Sequence, residues 1–107
     1  MPPFFPTLPA VQQEISFSSR VVASDQVMFR ELDGEAVILN LNDDSYYGLD
    51  EVGTRLWQLL TTSQSLEDVC KAMLEEYDVP EDTLRRDIEE FVRQLLSRRM
   101  VELRDAG

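Results

Sequence analysis

The sequence predicts an α+β domain: a three-stranded antiparallel sheet followed by three helices. Three observations carry that reading. Two β-branched apolar runs, 27–32 and 35–41, flank Asp33-Gly34, the strongest short-range hairpin signal available. After Asp50 the apolar spacing changes from alternation to a helical period. Beyond Pro80, one uninterrupted apolar stripe recurs every three or four residues.

The chain opens with MPPFFPTLP, which holds four of the five prolines. Prolines at 2, 3, 6 and 9 prevent a helix and favour an extended, flexible arm over 1–13, made sticky by Phe4, Phe5 and Leu8. The arm has no basic start and no continuous apolar stretch, so a secretory signal is not expected there. The domain proper is expected over 14–104, with 105–107 as a tail. Ile15, Phe17, Val21 and Val22 suggest a short extended segment over 14–22. In the second hairpin run Val37, Leu39 and Leu41 share one face, and Ala36, Ile38 and Asn40 the other. A polar turn, Asn42-Asp43-Asp44, leads to a short third strand, Ser45 to Leu49.

Asp50 then caps a helix with Val52, Leu56, Leu59 and Leu60 on its apolar side and Trp57 beside them. Ser65, with Asp68 three residues on, resembles a capping box opening a second helix through Leu66, Val69, Cys70, Met73 and Tyr77. Pro80 suits the first turn of a third helix, and Glu81 and Asp82 oppose its positive dipole end. That helix carries Leu84, Ile88, Phe91, Val92, Leu95 and Leu96 and should end near Arg98. Met100, Val101 and Leu103 form a last apolar patch.

Composition narrows the function. At 107 residues the chain has room for one core. Ten Lys and Arg against 21 Asp and Glu give a net charge of -11, which opposes a duplex-DNA or anionic-membrane partner. No apolar run approaches the roughly 20 residues that span a bilayer, and the expected compartment is the cytoplasm. Histidine is absent, removing the commonest general base and metal ligand. A single cysteine allows neither an intrachain disulfide nor a thiolate zinc site. Cys70 lies on an apolar stripe and reads as a small hydrophobe. The acidic clusters Asp43-Asp44 and Glu75-Glu76-Asp78 lack the alternation and glycine of a Ca²⁺ loop and read as solvated turns. No glycine-rich phosphate loop is present, so no catalytic residue, metal or cofactor is expected. The balance favours a binding module over an enzyme.

The candidate site is geometric. A three-stranded sheet has two unpaired edges, each a template for another chain. The run Ser45-Tyr46-Tyr47-Gly48-Leu49 is uncharged and aromatic, without the Lys or Pro that blunts an edge. Packed beside the third helix, it would form a groove with a hydrogen-bonding ladder on one wall and Leu84, Ile88 and Phe91 on the other, suited to an extended peptide. Periodicity serves equally well a plainer reading, in which Tyr46 and Tyr47 straddle a buried sheet.

The ordered set Val27 to Leu41, then Tyr46-Tyr47-Gly48-Leu49-Asp50-Glu51-Val52-Gly53, Leu56-Trp57 and Asp87-Ile88 resembles the PqqD family, also called the RiPP recognition element. The resemblance covers about residues 24–103 and implies a small winged-helix-like domain without catalytic activity. Such domains bind the leader segment of a ribosomally made precursor peptide. They present it to a modifying enzyme such as a radical-SAM protein or a leader peptidase. Carried over, the strand wall is Asp44, Ser45, Tyr46, Tyr47, Gly48 and Leu49, and the helical wall Leu84, Asp87, Ile88 and Phe91. The family often has Gly where Arg99 stands and Asn where Asp50 stands, and the proline-rich arm is not typical of it.

Two other classes compete with the adaptor. A homodimeric structural subunit would pair edge strands or swap the arm, and sizing with and without residues 1–13 separates it. A winged-helix DNA binder suits the topology, but the charge opposes it. Six of the ten basic residues (Arg85, Arg86, Arg93, Arg98, Arg99 and Arg104) lie in or just after the third helix, a mixed-charge ridge that a solvated helix face also explains.

Overall fold

The computed structural model describes residues 15–104. The expectations for the arm over 1–13 and the tail over 105–107 lie outside that span. The element order is β1 (Arg20–Ala23), β2 (Val27–Leu32), β3 (Glu35–Asn40), β4 (Ser45–Leu49), α1 (Glu51–Thr62), α2 (Leu66–Glu76), α3 (Glu81–Ser97) and β5 (Val101–Arg104). Strands β2, β3 and β4 form the expected antiparallel sheet in that order. The β2–β3 turn sits at Asp33 (φ 56°) and Gly34 (φ 83°). Both central residues are thus left-handed, which is why Asp-Gly occupies it.

Ala36, Ile38 and Asn40 face the core, and Val37 and Leu41 stay exposed. Asn40 is tolerated inside because its amide is used twice. Its Nδ2 donates to the Arg98 carbonyl at 3.0 Å, and its Oδ1 accepts from the Asn42 N–H at 2.9 Å. That pairing ties the end of β3 to the end of α3.

The caps follow the sequence. Asp50 accepts from the Gly53 N–H at 2.8 Å, and Ser65 from the Asp68 N–H at 3.2 Å. Pro80 stands just outside α3 as its N-cap and not within the first turn. The core closes with Leu56, Trp57 and Leu60 of α1, Val69, Cys70 and Met73 of α2, and Leu84, Ile88, Val92 and Leu95 of α3. Trp57 stacks on Phe29 of β2 with centroids 6.2 Å apart.

Two features differ from the sequence reading. The last apolar patch is a strand: β5 pairs antiparallel with β1, Val21 opposite Leu103 and Ala23 opposite Val101. The segment expected to be extended over 14–22 starts its strand only at Arg20, because the Ser19 N–H turns back to the Ser16 carbonyl at 3.0 Å. Among the described residues, no helix is long and apolar enough to cross a membrane.

Candidate functional site

β4 has one partner, β3, and is an edge of the described sheet. Alternate N–H and C=O groups along its other side therefore lack a strand partner. The turn feeding it is locally held. The Ser45 hydroxyl and N–H both donate to Asp43 Oδ1, at 2.7 and 3.0 Å, and these bonds lower the Asp43 pKa below its usual 3.8. Asp44 then turns the chain at φ 60°.

Tyr47 connects this edge to α3. Its hydroxyl donates to Gln94 Oε1. Its ring meets Phe91 edge-on, with centroids 6.2 Å apart and planes at 86°. The Arg98 guanidinium carbon lies 4.9 Å from the Tyr47 ring centroid. Positions 91, 94 and 98 share one helical face, next to the core stripe of 84, 88, 92 and 95. Tyr46 points the other way and is 68% exposed.

The ten expected site residues therefore divide. Tyr47 and Phe91 are in direct contact. Ser45 is half-buried, while Asp44, Tyr46, Gly48 and Asp87 are exposed. Leu49, Leu84 and Ile88 are 6%, 6% and 0% exposed and belong to the core. Leu84 and Ile88, expected on the open helical wall, support it from beneath. The side chains of α3 and its C-cap that meet Tyr47 are Phe91, Gln94 and Arg98. Gln94 and Arg98 were missed because an apolar-stripe search discards polar residues, although the spacing from Phe91 marks both.

The chemistry on offer is recognition: a backbone edge beside an aromatic and cationic surface. Burial raises the Cys70 thiol pKa, which favours the protonated form. Among the described residues, no group of three His, Cys, Asp or Glu side chains could hold a metal.

The family model for coenzyme PQQ synthesis protein D (PqqD) matches residues 35–101, more than half of the chain and the whole run from β3 through α3. The chain belongs to the PqqD family. Two solved structures are similar to this PqqD-family chain. One, TbiB1 in complex with the TbiA(beta) leader peptide, is 37% identical with a TM-score of 0.72, over 76% of this chain and 94% of that one. The other, lasso peptide synthetase B1 complexed with the leader peptide, is 24% identical with a TM-score of 0.69, over 79% and 98%, and shows likeness of fold. No curated protein matches.

Proposed function

We propose that the chain is a non-catalytic adaptor that binds the leader segment of a ribosomally synthesised precursor peptide. The leader adds as a strand to the free edge of β4 and packs on the surface formed by Tyr47, Phe91, Gln94 and Arg98. The adaptor then presents the peptide to a modifying enzyme. The observation that carries this reading is the edge strand itself, unpartnered in the described sheet and braced against α3 through Tyr47. Membership of the PqqD family supports it, as does the 37% identical TbiB1, whose structure holds a leader peptide. Backbone hydrogen bonds along β4 supply affinity with little sequence demand, and the α3 surface supplies selectivity. Holding the leader raises the local concentration of the attached core peptide at the enzyme.

The test is titration of isotope-labelled protein with the leader peptide of a precursor encoded beside its gene, read by amide chemical shifts. Shifts confined to 44–49 and 84–98 are expected. Shifts clustered elsewhere would keep binding but reject this site. Absence of binding would reject the adaptor and favour a structural subunit.

A further inference from the structure

The sheet face turned away from the helices carries a depression where β4 runs towards α1. By register, Arg30, Val37 and Gly48 form one row across the three strands, and Leu32 and Glu35 form the next. These residues, with Asp50 and their strand neighbours, line an open concavity of about 710 Å³. No residue of the three helices lines it, so it opens outward.

Gly48 stands on the side of this depression nearest the free edge. A Cβ placed there would meet no atom within 4 Å. Nor does the backbone require glycine: among the described glycines only Gly34 has positive φ. Glycine inside a strand weakens it and often marks a site where another backbone or a ligand approaches closely. Among the described residues, nothing makes that approach to Gly48.

A strand added to β4 does. Its side chains alternate between the two sheet faces. One set meets Tyr47, Phe91 and Arg98, and the other passes Tyr46 and Gly48 on the outer face. Resting on the strand-addition reading above, we propose that the bound peptide places an aromatic side chain opposite Gly48, laid across it onto Val37 in the outer depression. Aromatic residues pack over glycines of a neighbouring strand in this way. Val37 and Leu32, 40% and 78% exposed, give the depression an apolar floor and end. Tyr46, two residues along on the same face, is the diagonal neighbour for a second ring. The peptide is therefore read on both faces of its strand, and Gly48 sets specificity on the outer one.

Gly48→Val tests this, because it adds bulk at a position whose Cβ meets no described atom within 4 Å. Its circular dichroism should match that of the wild type, and its thermal midpoint should be no lower, since valine suits a strand better than glycine. Binding is measured by fluorescence anisotropy, using the synthetic leader peptide of a precursor encoded beside the gene and its single-alanine replacements. One aromatic position should lose about tenfold in affinity for the wild type when replaced. Gly48→Val should weaken the parent peptide similarly and leave the affinity of that alanine peptide unchanged. Gly48→Ala, as a milder change, should weaken the parent about threefold and serves if the valine variant does not fold. An identical alanine scan for wild type and variant, or unchanged affinity for the parent, would overturn the subsite and leave strand addition standing. Failure of the wild type to bind would defeat both.

Discussion

Arg99→Gly should stabilise the protein. α3 ends in two backbone bonds: the Arg99 N–H reaches the Leu96 carbonyl at 3.0 Å, and the Met100 N–H reaches the Leu95 carbonyl at 3.0 Å. These are the paired 5→2 and 6→1 bonds of a Schellman ending, with Met100 and Leu95 both fully buried as its apolar contact. The motif requires a left-handed residue at the position after the cap, and Arg99 supplies it at φ 59°. A side chain in that conformation costs about 1–2 kcal/mol relative to glycine, and glycine's greater freedom when unfolded offsets part of the gain. The net expectation is about 0.5–1 kcal/mol, or roughly 2–8 °C in thermal midpoint for a domain of this size. Arg99→Ala is the control, because it removes the same charge but keeps the Cβ. Chemical denaturation of the three proteins decides the matter. Arg99→Gly no more stable than Arg99→Ala would refute the conformational argument.

Asn40→Ala removes both amide bonds from a buried site and should cost about 2–4 kcal/mol in denaturant unfolding, loosening the junction of β3 with α3. Tyr47→Ala should lower leader affinity about tenfold by calorimetry, whereas Tyr47→Phe, which loses only the bond to Gln94, should stay within about threefold. Arg55 joins α1 to α2 by donating to both carboxylate oxygens of Glu76, at 2.8 and 2.6 Å, and this depresses the Glu76 pKa below its ordinary 4.5. Because the folded pKa is the lower one, that contribution is present above 4.5 and is lost as pH falls through the folded value. The stability difference between wild type and Glu76→Gln should therefore be present at neutral pH and vanish in acid titration, and a difference that persists in acid would contradict the assignment.

Local signals were legible in the sequence and distant ones were not. Asp33-Gly34, Asp50 and Ser65 each act within a few residues, and each does in the structure what its chemistry demands. The pairing of β1 with β5 joins the two ends of the described chain, and neither four-residue strand carries a mark of the other. The faces of β3 show why pattern alone stops short. Val37 and Leu41 look the better core residues, yet they point outward while Asn40 goes in, because only the fold brings the Arg98 carbonyl to its amide. For the candidate site, the edge position of β4 and its nearness to Phe91 were legible from composition and spacing. Leu84 and Ile88 were drawn to the wall because apolar character does not distinguish a core stripe from the surface beside it. Gln94 and Arg98 became visible only through their contacts with Tyr47.

The central claim is that a peptide becomes a strand on β4. Backbone N-methylation of the leader peptide tests it most directly, since a methyl group removes one N–H donor and leaves the side chain in place. Consecutive N–H groups of a strand point to opposite sides, so binding should fall with a period of two along the segment that pairs with β4. Uniform tolerance of N-methylation through the bound segment would contradict strand addition.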